Sequence, residues 1–190
     1  MTLLMKICLL GDGAVGKTAL RERYLGKQFS SGYVMTIGAD FAVKKTVIQE
    51  KDGDTRTVKF QIWDLAGQPR FNSVRELYYK GSHGGLLIFD LTRRDSFTNL
   101  MTWIDELFQN SGRGPMPIVV LGNKADLRDS GEVEDCVTQE EVNSFIAGLK
   151  KQFEIHFEIP YLETSAKTGS NVDESFSMLA VTIRTALATA

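Results

Sequence analysis

The run Ile7-Cys8-Leu9-Leu10-Gly11-Asp12-Gly13-Ala14-Val15-Gly16-Lys17-Thr18 decides the fold. Its first four residues are all apolar, as in a parallel strand covered on both faces. The next eight fit the spacing GxxxxGK(S/T), and a helical segment follows. Glycines let backbone N–H groups curl around phosphate oxygens, and the helix N-terminus adds the positive end of its dipole. In such a loop Lys17 reaches the β- and γ-phosphates and the Thr18 hydroxyl ligates Mg²⁺. The contacts expected from this segment are Gly11, Asp12, Gly13, Ala14, Val15, Gly16, Lys17, Thr18 and Ala19. By itself the motif says nucleoside triphosphate and leaves base and reaction open.

Outward from the loop, short apolar runs alternate with helical patterns. Leu86–Phe89 and Ile118–Leu121 read as further buried strands. Phe97, Leu100, Ile104, Leu107 and Phe108 share helical spacing, as do Val142, Phe145, Ile146 and Leu149 behind the capping-box pair Thr138 and Glu141. The last helical segment presents Val172, Phe176, Leu179, Ile183 and Leu187 after an Asn171 cap. One stretch differs: Phe41–Glu50 and Thr55–Asp64 are strand-like and joined by the turn Lys51-Asp52-Gly53-Asp54, a hairpin. The fold class expected is α/β, a mostly parallel sheet with one antiparallel edge strand. Residues 1–190 read as a single domain.

Two further segments choose the base. Asn123-Lys124-Ala125-Asp126 follows the Ile118–Leu121 strand, and Ser165-Ala166-Lys167 follows a strand over Tyr161–Thr164. Guanine differs from adenine by the donor pair N1–H and 2-amino, which one fixed carboxylate, Asp126, accepts together. The Ala166 N–H meets O6, an acceptor that adenine lacks. A site built for those groups rejects ATP, because they would otherwise be left unpaired. Ligands of such sheets bind beyond the carboxyl ends of the strands, where both segments fall.

The reaction is read from Ile62-Trp63-Asp64-Leu65-Ala66-Gly67-Gln68. Asp64 at a strand end holds Mg²⁺ through water, the Gly67 N–H meets the γ-phosphate, and Gln68 orients an attacking water. Gln68, Lys17 and Gly67 are the expected catalytic set, and Thr18, Thr36 and Asp64 the expected metal set. On spacing alone Thr36, within the polar stretch Ser30–Gly38, reads as a surface threonine.

Composition narrows the classes. With 43% hydrophobic and 24% charged residues the 190-residue chain is ordinary globular material, and a net charge of −2 without a run of one sign argues against nucleic acid as main partner. Two cysteines and two histidines make a zinc site improbable, and few cysteines without an export signal suggest a reducing cytosol. Nowhere do about 18 apolar residues run together, so no transmembrane helix is expected.

Taken together these residues resemble the Ras superfamily of small GTPases over nearly the whole chain. Thr36-Ile37-Gly38-Ala39-Asp40-Phe41, Lys59-Phe60-Gln61-Ile62-Trp63, Arg70-Phe71-Asn72-Ser73-Val74, Tyr78-Tyr79-Lys80-Gly81-Ser82 and Leu87-Ile88-Phe89-Asp90-Leu91-Thr92 are similar to its Rab branch. The resemblance implies a P-loop NTPase fold with a six-stranded sheet and helices on both faces. It implies a GTP/GDP switch, with Mg²⁺, whose two mobile regions are Phe29–Ala39 and Leu65–Tyr79. Phe29 then packs on the guanine, the Lys124 stem stacks on it, and Tyr33 joins the nucleotide contacts. Thr36 and Gly67 hold the switches to the γ-phosphate until hydrolysis releases them. Effector, exchange-factor and GTPase-activating proteins are expected on Phe29–Phe41 and Trp63–Tyr79. Phe41, Trp63 and Tyr78 match an aromatic triad shown to effectors, a core role being the alternative for Phe41 and Trp63.

A monomer in the cytoplasm, peripheral to membranes and engaged in trafficking-type regulation, completes the expectation. No cis arginine finger is assigned, so intrinsic turnover should fall below about 10⁻² s⁻¹ and need an activating protein. Two departures stand out: Pro69 replaces the glutamate usual after Gln68, and the chain ends at Ala190 with no terminal cysteine, so no membrane anchor is expected within it. Residues Lys150–Pro160 also form a longer connection than usual. Pro69 keeps open a GTP sensor that hardly hydrolyses. A P-loop kinase or ATPase would leave Asn123–Asp126 and Ser165–Lys167 without purpose.

Overall fold

The computed structural model describes residues 2–30, 32, 35–49, 53–131, 133 and 135–189. The expectations for Tyr33, for Glu50 at the end of the first hairpin strand and for Lys51 and Asp52 of the turn lie outside the described residues. β1 (Thr2–Leu10) leads through the glycine loop into α1 (Lys17–Tyr24), followed by β2 (Ala39–Gln49) and β3 (Thr55–Leu65). A single 3-10 turn (Pro69–Phe71) precedes α2 (Asn72–Tyr79) and β4 (Gly84–Asp90). Then come α3 (Arg94–Thr98), α4 (Leu100–Asn110), β5 (Ile118–Asn123), α5 (Ala125–Asp129), α6 (Gln139–Gln152), β6 (Tyr161–Glu163) and α7 (Val172–Thr189).

The sheet has six strands in the order β2-β3-β1-β4-β5-β6. β2 pairs antiparallel with β3, and every other pairing is parallel. Side chains alternate across a strand, so the apolar run of β1 feeds two cores. Ile7 and Leu9 pack with Leu20 and Tyr24 of α1 and with Phe176 and Leu179 of α7. Cys8 and Leu10 pack on the other face with Tyr79 of α2, Ile104 and Leu107 of α4, and Val142 of α6. Continuous hydrophobic strands are therefore the consequence of helices on both faces, as the sequence suggests.

From β1 the chain visits β3 on one side and β4 on the other, which opens a crevice at the carboxyl end of β1. Because the inner strands are parallel, the glycine loop, Asp64–Gly67, Asp90, Asn123 and Ser165 all lie at the same edge of the sheet.

One helix expectation needs correction. The periodic segment Phe97–Phe108 is two helices, not one, parted at Asn99, which keeps helical backbone angles (φ −76°, ψ −6°) and so leaves the spacing of apolar residues intact. Asn171 holds the N-cap position of α7, its carbonyl accepting from the Ser175 N–H at 3.0 Å; it takes φ 54°, and its side-chain amide donates to the Glu163 carbonyl at 2.8 Å, tying α7 to β6. The capping box of α6 is present, with the Glu141 N–H donating to Thr138 Oγ1 at 3.3 Å and the Thr138 N–H to Glu141 Oε2 at 2.8 Å. Among the described residues no helix is long and apolar enough to cross a membrane.

Candidate nucleotide site

The glycine loop is held from behind. Gly16 adopts φ 101°, and a Cβ there would lie 2.2 Å from Asn123 Nδ2, so only glycine fits. That same amide donates to the Val15 carbonyl at 2.8 Å, while Asn123 Oδ1 accepts from Thr164 Oγ1 at 3.2 Å. Asn123 is 1% exposed and bridges the loop to the ends of β5 and β6. Asn123→Ala strands two buried partners and should destabilise the protein by about 2 kcal/mol, read as a lowered midpoint of urea unfolding. A loss under about 0.5 kcal/mol would deny the bridge any weight.

Lys17 is nearly buried at the mouth of α1, with Nζ donating to the carbonyls of Gly11 at 2.6 Å and Asp12 at 2.7 Å. Burial pushes its ammonium down to about 8, against the attraction of Asp64 and Asp12. A cation so placed is stabilised by an anion entering the loop. Asp12 makes its direct bond to Lys17 through its backbone carbonyl. Its carboxylate turns away and accepts from Trp103 Nε1 and Asn99 Nδ2, each at 2.8 Å. The parting of α3 and α4 at Asn99 thus serves the loop.

Beside Lys17 three oxygens converge. Thr18 Oγ1 donates to Asp64 Oδ2 at 2.6 Å and lies 3.0 Å from Thr36 Oγ1. Asp64 Oδ1 is buried with no hydrogen-bond partner among the described residues, and burial pushes this carboxyl up from its usual range. A hard cation coordinated by oxygen relieves both penalties, so the donor set fits Mg²⁺. Among the described residues no three His, Cys, Asp or Glu side chains group as a metal centre, so a cation here depends on hydroxyls and on phosphate oxygens.

The segment after β3 closes on the loop. A Cβ on Gly67 would lie 2.4 Å from Asp12 C and Gly13 N, an approach only glycine permits. Gln68 Nε2 sits 3.5 Å from where a Gly13 Cβ would be. The Phe71 N–H donates to the Gln68 carbonyl at 3.1 Å, so Pro69 opens the 3-10 turn at a position that uses no N–H. Gly13, Lys17, Thr18, Thr36, Gly67 and Gln68 line part of one cavity of about 610 Å³, together with Ala14, Gly16 and Ala19.

The base-end residues lie outside that lining. Asp126 Oδ1 accepts from Ser165 Oγ at 2.6 Å, and Lys167 Nζ lies 3.9 Å from Oδ2, which fixes the carboxylate at the end of β5. Ala166 is buried. Lys124 takes φ 66° and pairs through Nζ with Asp90 Oδ2 at 2.7 Å. Phe29 is 41% exposed. The rings of Phe41, Trp63 and Tyr78 form a chain, 4.8 Å between successive centroids.

Several charged residues at the site carry no motif. Arg21, 4% exposed, pairs with Asp40 at 2.6 Å and approaches Asp64 Oδ2 at 4.0 Å. It holds the Asp40 carboxyl below its usual range. Arg93 donates to the Gly13 carbonyl at 2.8 Å. Only its position just past a strand end, Asp90, could have marked Arg93.

A glycine loop between β1 and α1, at the carboxyl edge of such a sheet, defines the P-loop class of nucleotide-binding folds. The sequence model of the Ras family matches residues 6–185. Ras-related protein Rab7 of Drosophila melanogaster is 43% identical over 180 residues, 93% of this chain and 79% of that protein. The Ypt/Rab-type GTPase ypt7 of Pyricularia oryzae is 40% identical over 180 residues, 93% of this chain and 80% of its own. The GTP-binding protein ypt1 of Schizosaccharomyces pombe is 38% identical over 173 residues, 91% and 76% respectively. The chain belongs to the Ras family and is a Rab-like small GTPase.

Proposed function

We propose that this GTP-binding switch of membrane traffic hydrolyses GTP in the cavity between the glycine loop and Gly67. Backbone N–H groups of Gly13–Ala19 and the Lys17 ammonium grip the phosphates. The Thr18 and Thr36 hydroxyls, with Asp64 through water, would hold Mg²⁺, which when bound neutralises phosphate charge. The Gly67 N–H faces the γ-phosphate and Gln68 orients the water that attacks it in line, with no covalent intermediate. Asp126 reads the N1–H and 2-amino groups of guanine, the Ala166 N–H reads O6, and the Lys124 stem and Phe29 flank the ring. The reading rests on one observation: the Thr18 and Thr36 hydroxyls meet in the cavity that Lys17, Gly67 and Gln68 also line, with Asp64 bonded to Thr18 behind them.

Loss of the γ-phosphate frees Thr36 and Gly67, and with them the surface that partners read. That surface is Phe29–Phe41 and Trp63–Tyr79, with Ile37 and Leu77 each 76% exposed beside the Phe41–Trp63–Tyr78 rings. Effectors, exchange factors and activating proteins bind there, and the protein acts as a monomer at the cytoplasmic side of membranes.

Displacement of fluorescent GDP from the purified protein with Mg²⁺ present tests the reading. GTP should compete at least about 100-fold better than ATP. Equal competition by ATP would defeat the guanine assignment.

A further inference from the structure

Arg75 on α2 is only 2% exposed and ranks among the largest fully buried side chains. Its Nη1 donates to two backbone carbonyls, Ala66 at 3.1 Å and Gln68 at 3.0 Å, the residues on either side of Gly67. The other edge of the guanidinium forks onto α4: Nε to Glu106 Oε2 at 3.0 Å and Nη2 to Glu106 Oε1 at 2.7 Å. Tyr79 Oη also donates to Glu106 Oε2, at 2.9 Å. Burial pushes its phenol well above the usual value, so it stays a donor. The face of the guanidinium lies 4.3 Å from the centroid of Trp103, whose Nε1 holds Asp12 of the glycine loop. One side chain thus joins the segment bearing Gly67 and Gln68 to the helix that braces the loop.

Stability does not account for this arrangement. A buried ion pair contributes little over well-packed apolar residues of the same volume. What apolar residues cannot do is grip two carbonyls at fixed positions, and a planar fork with several donors can. The carbonyls gripped are those that set where the Gly67 N–H and the Gln68 side chain point. We infer that Arg75, locked by Glu106, is a positioning residue for Gln68, and that it sets the rate of GTP hydrolysis rather than the affinity for nucleotide. The inference rests on Gln68 as the water-orienting residue.

The test compares wild type, Arg75→Lys, Arg75→Met, Glu106→Gln and Gln68→Leu. Single-turnover hydrolysis of GTP is measured beside release of fluorescent GDP and thermal unfolding. Arg75→Lys keeps the charge but serves one partner at a time. It should slow hydrolysis about tenfold, with GDP release changed less than about twofold. Arg75→Met should lose as much, and Glu106→Gln about threefold, because the fork is loosened rather than removed. Added to Gln68→Leu, Arg75→Lys should cost less than about threefold more, because most of its effect passes through Gln68 and only the hold on the Gly67 N–H remains. If Arg75→Met does not fold, Arg75→Lys and Glu106→Gln decide. Hydrolysis at the wild-type rate in those two overturns the inference, as does a loss matched by faster GDP release, or an equal further loss on the Gln68→Leu background. If Gln68→Leu itself leaves the rate unchanged, the role of Gln68 fails and the inference with it. If Gln68→Leu is slow and the Arg75 variants are not, the inference alone fails.

Discussion

Asp126→Asn should lower the affinity for GDP and GTP at least about 100-fold and raise that for xanthosine nucleotides, reversing the preference of the site. The Asp126 carboxylate offers two acceptors, one for guanine N1–H and one for the 2-amino group. Asparagine keeps one acceptor and turns the other into an NH₂ donor, which then faces the 2-amino group, donor against donor. Leaving that pair unmet in a closed site costs about 3 kcal/mol, or two decades in affinity. Xanthine carries a carbonyl where guanine carries the amine, so the new amide pairs with it. The substitution should leave the fold intact, because Ser165 Oγ donates to Oδ1 at 2.6 Å, and an amide oxygen still accepts that bond, more weakly for want of the charge. Displacement of fluorescent GDP and of its xanthosine counterpart reads both arms. A variant that holds GDP within about threefold of wild type, or that gains nothing for xanthosine, would show that Asp126 does not read the base.

The reach of the sequence follows the range of the interactions. The glycine loop, the strands, the hairpin of β2 and β3 and the capping box of α6 depend on neighbours a few residues apart, and each is where the residues predict it. The segments Asn123–Asp126 and Ser165–Lys167 likewise lie at the ends of β5 and β6, as their place after apolar runs suggests. The helix break at Asn99 is hidden because that residue keeps helical angles while its side chain reaches Asp12, 87 positions away. Asp12 itself lies inside the motif, yet its carboxylate serves α4 rather than the loop. Arg75 and Glu106 are 31 residues apart on two helices, and in a linear chain both read as solvated charges. Arg21 likewise belongs to the exposed side of α1 by type, and becomes buried only because Asp40 and Asp64 come to meet it. Charges that meet across the fold leave no periodic trace, which is why Arg21, Arg75 and Glu106 cannot be placed from the sequence while the glycine loop can.

Gln68→Leu should slow single-turnover GTP hydrolysis by about 30-fold while GTP affinity stays within about threefold. Leucine has nearly the volume of glutamine, so packing against Gly13 survives. The Arg75 grip also survives, because it engages the Gln68 backbone carbonyl. What disappears is the amide proposed to orient the attacking water, a polar contact worth about 2 kcal/mol in the transition state. Pro69 does not undo this placement. The Gln68 carbonyl already accepts from the Phe71 N–H and from Arg75. The turn begins at the proline, where a missing N–H costs nothing. Pro69→Glu should therefore change the rate by less than about threefold. An unaltered rate in Gln68→Leu would remove the glutamine from the mechanism. A Pro69→Glu protein about tenfold faster than wild type would mean that the proline holds Gln68 away from the water, and that the grip of Arg75 fixes an inactive arrangement rather than an active one.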